Sequence, residues 1–260
     1  MHLKFLGTGS RLNAALGNTS AYYTEDDKLL LIDCSETVFG EIQELHLLDG
    51  ISRVFFICTH AHPDNVGGLG NLCLYCHQKN IEFYVVTDPS YILIYDLYDL
   101  LQISNCKGLW NSIDTSKLEK HFSEIQVVQY IRTEHCKDSY GANIPAYLVH
   151  FYTKDGPILY SGNTNRIDQI ESWIKRYKNP VTFDRDGRPL MVFHSDDFSG
   201  IIHMYLEASE DDKAKNTHLC LSDLERIIPP KLRSRCTLMH FDSQKCIEHA
   251  KALGFQIASS

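Results

Sequence analysis

One segment constrains this chain more than any other. Residues 53–58 read Arg-Val-Phe-Phe-Ile-Cys, and residues 59–69 continue Thr-His-Ala-His-Pro-Asp-Asn-Val-Gly-Gly-Leu. An aromatic and β-branched run bounded by turn residues is a buried strand. That strand delivers His60, His62 and Asp64 onto the loop that follows it. Two imidazoles and a carboxylate on one loop suit Zn²⁺ or a similar divalent ion. Gly67 and Gly68 then allow close backbone packing where a helix begins.

The rest of the chain must cover that strand. Strand-like runs recur at 3–6, 29–32, 83–87, 125–131, 146–153, 158–161, 190–193, 236–240 and 255–258. Helix-like runs fall between them, at 37–48, 66–78, 90–103, 166–177, 221–228 and 243–253. Apolar residues from Ile94 to Leu101 recur at three- and four-residue spacing, as on a packed amphipathic helix. Sheets covered by helices form an α/β sandwich. No Pro/Gly/Ser-rich linker divides the 260 residues, so a single domain over 1–260 is expected. The acidic segment 207–215 reads as an exposed loop.

Charge and composition exclude several functions. The net charge is −8, and the nearest basic cluster, Lys231 to Arg235, holds only three basic residues and reads as a solvated face. A polyanion-binding surface is therefore not expected. No stretch approaches the roughly 20 apolar residues of a membrane span. Met1 to Leu6 leads straight into a Gly-rich turn rather than an export signal. With nine scattered cysteines, reduced thiols in the cytoplasm are the expectation. Cys73-Leu-Tyr-Cys-His77 matches a haem-attachment string, but its place inside a helix makes it packing. Gly7 and Gly9 lack the following Lys-Ser/Thr of a nucleotide-binding loop.

The 59–69 segment resembles the H-x-H-x-D-H-x-G-G loop of the metallo-β-lactamase superfamily, with Asn65 in place of the third histidine. The resemblance extends in order along the chain and is to the ribonuclease Z branch. Phe5-Leu-Gly-Thr-Gly-Ser10 resembles its opening strand and turn, and Leu31-Ile-Asp-Cys-Ser-Glu36 its Asp-Cys-Gly-Glu segment. His135 ahead of Ser139-Tyr-Gly141, Tyr160-Ser-Gly-Asn-Thr164, His194-Ser-Asp-Asp-Phe198, Thr217-His-Leu219 and Leu238-Met-His-Phe241 follow. The resemblance implies a four-layer αβ/βα sandwich.

It also implies site roles. His60, His62 and His135 would hold a first metal; Asp64, residue 65 and His240 a second; residue 163 would bridge them. The family has His and Asp at 65 and 163, and this chain has Asn at both. An amide oxygen is a weak neutral ligand, so one zinc ion is expected, manganese being an alternative, with the second site weak or empty. Asp64 would orient the attacking water and His218 would protonate the leaving oxygen. The carboxylate supporting His218 would come from a His-Glu-Ala-Thr segment, matched by His194-Ser-Asp-Asp with Ser195 in the glutamate position. Asp33 orders the loop by accepting backbone hydrogen bonds, and Asn163 also suits a turn. The stretch from His135 to Asn163 leaves no room for the branch's transfer-RNA arm. The expectation is a metal-dependent phosphodiesterase on a small phosphodiester such as a cyclic nucleotide, with no membrane or transfer-RNA partner; a homodimer is compatible. The alternative is a catalytically degenerate member that binds a ligand or protein.

Overall fold

A computed structural model describes residues 1–178, 181–183, 189–191, 198, 200–210 and 217–260. Two six-stranded sheets stack face to face, each covered outside by helices, giving the four-layer αβ/βα sandwich. The first sheet runs in chain order: β1 (Lys4–Gly7), β2 (Ser20–Glu25), β3 (Lys28–Ile32), β4 (Arg53–Ile57), β5 (Glu82–Thr87) and β6 (Asn111–Asp114). It is antiparallel from β1 to β3 and parallel from β3 to β6. The second sheet contains β7 (Ile125–Thr133), β8 (Ala146–Thr153), β9 (Gly156–Tyr160), β12 (His203–Glu207), β13 (Cys236–Met239) and β14 (Gln256–Ile257). Its order is β14-β13-β12-β9-β8-β7, parallel from β9 through β14. β10 (Val181–Phe183) pairs antiparallel with β11 (Pro189–Met191) in a separate two-stranded sheet.

Helices α1 (Glu36–Glu44), α2 (Pro63–Val66), α3 (Leu69–Gln78) and α4 (Ile94–Ile103) belong to the first half. Helices α5 (Ile167–Tyr177), α6 (Leu221–Ile227), α7 (Pro230–Arg233) and α8 (Gln244–Ala252) belong to the second. In α5, Ile170, Trp173, Ile174 and Tyr177 fall on one face and bury against the second sheet, as the 3.6-residue period requires. Ser35 caps α1 by accepting from Val38 N.

β3 and β4 carry Leu29 to Ile32 and Val54 to Ile57, all fully buried, because a parallel strand covered on both sides reads as a continuous apolar run. The seam between the sheets passes beside the ligand loop. His60 bridges to Ala146, and Tyr147 N donates to Thr59 O at 2.9 Å. The 66–78 run is two helices, α2 and α3, with Gly67 and Gly68 at the break. A Cβ on Gly68 would lie 2.3 Å from Ser35 O, so only glycine admits this approach of loop to α1.

Two surface expectations are corrected. Of the supposed solvated face, Arg233 is buried and donates to Ile228 O, Leu253 O and Glu225 O, while Arg235 donates to Phe198 O and Ile201 O. Their forked donors satisfy backbone carbonyls at helix and loop ends. The acidic segment begins not in a loop but at the end of a central strand: Glu207 closes β12 and is buried. Cys73 and Cys76 are buried within α3, as packing residues. No helix among the described residues is long and apolar enough to cross a membrane.

Candidate metal centre

Ligand sites in α/β sheets form beyond the carboxyl ends of strands, where chain after chain turns outward. Here β4 leads to His60, β7 to His135, β9 to Asn163, β12 ends on Glu207, and β13 leads to His240. The strands come from both sheets, so residues far apart in sequence meet at one edge. His240 has a left-handed backbone, φ 61°, and so does Asp33, φ 62°. Such conformations are costly for non-glycine residues and persist where surrounding structure fixes them.

Asp33 holds the ligand loop. Its carboxylate accepts from Thr59 N at 2.7 Å, Thr59 Oγ1 at 2.7 Å and Asn65 Nδ2 at 2.8 Å. Burial raises its pKa to about 7 against the opposing pull of those donors. This is the loop-ordering role expected for Asp33.

His60, His62 and His135 form one cluster, their ligand atoms all within 4.8 Å of one another. His60 Nε2 and His62 Nδ1 are 3.0 Å apart. His135 Nδ1 lies 2.6 Å from the Thr217 carbonyl, a contact in which the ring N–H donates and Nε2 keeps its lone pair. Burial, first, and mutual repulsion push the pKa of His60 well below the ordinary histidine value; burial likewise lowers His135 to about 4 and His62. Neutral imidazoles are the form that ligates a metal. The donor chemistry therefore fits a divalent ion: three histidines, a set known for open catalytic sites.

The other half differs. Asp64 is buried with Oδ1 lacking a hydrogen-bond partner, and burial raises its pKa. An orphaned buried carboxylate oxygen at such an edge fits cation binding. Asn65 spends its amide N–H on Asp33 and sits 3.4 Å from Thr59 Oγ1, which turns it toward the loop's own scaffold. Asn163 Nδ2 lies 3.2 Å from His240 Nε2, so the bridging position contacts a neighbouring histidine rather than supplying charge. Burial pushes His240 well down.

Sequence reasoning misplaced one group. The segment 194–197 lies outside the described residues. The carboxylate beside His218 is Glu207, whose Oε2 is 2.7 Å from His218 Nδ1. Glu207 Oε1 also accepts from Thr164 N and Leu219 N. Leu206-Glu207-Ala208-Ser209 is the Glu-Ala-Thr-like string that holds this place, with Leu and Ser at its ends. The missed signal was that string itself, hidden in a segment read for its acidity. Glu207, His218 and His240 also cluster closely enough to suggest a metal set. Glu207 has both oxygens engaged, however, so the arrangement is a carboxylate–imidazole pair beside His240. Burial lowers the His218 pKa, but the charge and hydrogen bond of Glu207 outweigh it and the net shift is upward.

His62, Asp64, His135, Asn163, His218 and His240 line a cavity of about 430 Å³, together with Ser10, Arg11, Leu12, Cys136 and Asp242. Its lining suits hydrolysis: neutral imidazoles at His62 and His135 beside a protonatable one at His218, whose ring lies 4.9 Å from that of His135.

Among solved structures, the metallo-β-lactamase fold protein YhfI from Bacillus subtilis aligns with a TM-score of 0.66 at 12% identity, over 99% of this chain and 95% of that one. Human tRNase Z, short form, aligns at 0.59 and 16% identity over 100% and 96%. A diphosphatase of the PhnP family aligns at 0.58 and 13% over 99% and 94%. These show the fold. In sequence, the Anti-Pycsar protein Apyc1 of Paenibacillus harenae is 27% identical over 135 residues, spanning 52% of this chain and 53% of that protein. The family described as Anti-Pycsar protein Apyc1 matches residues 1–257. The chain is a metallo-β-lactamase-fold protein belonging to the Anti-Pycsar protein Apyc1 family.

Proposed function

We propose that this protein is a metal-dependent hydrolase of small phosphodiesters, cyclic nucleotides being the favoured class. The observation that carries the reading is the meeting of two built groups at one cavity. The His60–His62–His135 cluster reaches it through His62 and His135, and the Glu207–His218 pair reaches it through His218, the His135 and His218 rings lying 4.9 Å apart. The name of the family and the diphosphatase among the fold relatives support it.

His60, His62 and His135 would hold zinc, with manganese as the alternative. Bound there, the ion supplies Lewis acidity and lowers the pKa of water. His218 donates its proton from Nε2 to the leaving oxygen while Glu207 holds Nδ1–H and stabilises the cationic ring. Asp64, buried beside His62, orients the attacking water through its unpartnered Oδ1. Asp33 and Thr59 keep the ligand loop rigid through the reaction.

A second reading, a fold member that binds without hydrolysing, is favoured by one observation. Asn65 and Asn163 direct their amides at the protein's own Asp33 and His240. The test is metal content in protein purified without chelators, followed by assay on bis(p-nitrophenyl) phosphate and cyclic nucleotides. Metal-dependent turnover abolished by His135→Ala is expected. Metal-loaded protein that turns over neither substrate would give preference to the binding reading.

A further inference from the structure

The turn after β1 folds back over the end of β13. Ser10 N donates to Phe241 O at 2.9 Å, Asn13 Nδ2 donates to the same oxygen at 3.1 Å, and Phe241 N donates to Thr8 O at 2.9 Å. The tightness of the turn requires Gly9, whose Cβ would lie 2.6 Å from Asn13 O. These bonds fix the turn's apex, Arg11 and Leu12, against the residue that follows His240. Both apex residues border the cavity that holds His62, Asp64, His218 and His240.

Arg11 is exposed, and its guanidinium has no hydrogen bond or ion pair among the described residues. Its charge acts on His62, Asp64 and Cys136, which places it within electrostatic reach of the centre. Asp64 and Asp242 border the same cavity, and among the described residues no ion pair joins either to Arg11. A permanent cation left unpaired beside a hydrolytic cavity is free to meet an anion. A planar guanidinium offers a fork of N–H donors that matches phosphoryl oxygens in pairs. Leu12, beside it, is 91% exposed. A lone exposed leucine is ordinary, but this one is held at the cavity rim by the pinned turn. The charge balance of the site gives Arg11 more to do: with Asn at 65 and 163, the second-cation half is weakened, and positive charge toward the phosphoryl group must come from elsewhere.

We propose that Arg11 is the specificity residue that grips the phosphoryl oxygens of the substrate, and that Leu12 packs against its flat organic group. The inference rests on the hydrolase reading and narrows it to anionic phosphodiesters carrying a base-like face. Arg11 recognises charge, Leu12 recognises the organic group, and the two contributions separate.

Steady-state kinetics on a cyclic nucleotide, with inorganic phosphate as a competitive probe, tests this. Arg11→Ala is expected to raise both KM and the phosphate inhibition constant about tenfold or more, with kcat changed less than about threefold, because a charge-assisted contact to the ground-state anion is lost. Arg11→Lys should restore part of the affinity, since a point charge replaces the fork. Leu12→Gln should raise KM for the nucleotide and leave phosphate inhibition unchanged. Unaltered KM and phosphate inhibition in Arg11→Ala, with an unshifted melting temperature, would overturn the proposal while leaving the hydrolase reading intact. If the parent protein hydrolyses no phosphodiester, titration calorimetry with inorganic phosphate still decides: equal affinity in parent and Arg11→Ala overturns the role, and at least tenfold weaker binding in the variant upholds the anion grip.

Discussion

Glu207 Oε2 lies 2.7 Å from His218 Nδ1, and the two residues belong to different parts of the fold: one ends a central strand, the other precedes α6. A general acid works in its protonated form. The carboxylate raises the His218 pKa, so activity that depends on it persists to higher pH and is lost as pH rises through that raised value. Glu207→Gln removes the charge and lowers His218. The basic limb of the pH–rate profile should then move to lower pH, with kcat at pH 8 falling about tenfold or more. An unmoved limb would sink the pairing as the source of the acid.

The histidine cluster makes a stability prediction. Any ion that binds the folded chain and not the unfolded one stabilises it, by about 2.7 kcal/mol at a hundredfold excess over its dissociation constant. Chelation should lower the melting temperature, and zinc should restore it. His135→Ala should abolish the response, because one of three clustered nitrogens is gone. A melting curve indifferent to zinc and chelator in the parent protein would count against the centre.

The paired asparagines predict non-additivity. In Asn65→His, a ring N–H replaces the amide bond to Asp33 and a second nitrogen becomes available. In Asn163→Asp, a carboxylate replaces the amide facing His240. The double variant should bind a second divalent ion by elemental analysis and gain phosphodiesterase activity; each single change should do far less. Two chelator-resistant ions in the parent would refute the argument about amide ligands.

Gly68→Ala tests the scaffold. The added Cβ would meet Ser35 O at 2.3 Å, and backbone cannot yield cheaply. We expect about 2 kcal/mol or more of destabilisation, with weakened metal binding, read by denaturant titration. Full stability in this variant would show that the loop relaxes away from α1.

Transfer RNA should bind poorly despite the fold shared with human tRNase Z. The net charge of −8 opposes a polyanion, and two of the three cations in the 231–235 cluster, Arg233 and Arg235, are engaged with backbone carbonyls. Submicromolar affinity with a steep salt slope in filter binding would contradict this.

The buried parallel strands were legible because burial on both faces writes an unbroken apolar run; β3 and β4 fall within a residue of expectation. β2 and β6 were missed because Ser20–Glu25 and Asn111–Asp114 mix polar and apolar residues without alternation strong enough to read, although β2 pairs on both sides and only β6 is an edge strand. His60 and His62 were legible because their spacing is tied to one loop, whereas His135 and His240 were found only through the ordered resemblance of their separate segments. Glu207 was not, because its role comes from the register of β12 against β9 and β13, which places a buried carboxylate under a histidine eleven residues on. The 66–78 run was read as one helix because periodicity does not register a break made by two glycines.

The seam at His60 couples assembly to chemistry. His60 bridges to Ala146 across the two sheets, so the loop that carries two of the three clustered histidines closes only when partners more than eighty residues apart dock. Such long-range closure is slow, because loop entropy is lost before the contact rewards it. Ligand affinity thus becomes a late milestone of refolding: zinc uptake, followed in a stopped-flow experiment, times the moment at which the halves lock together.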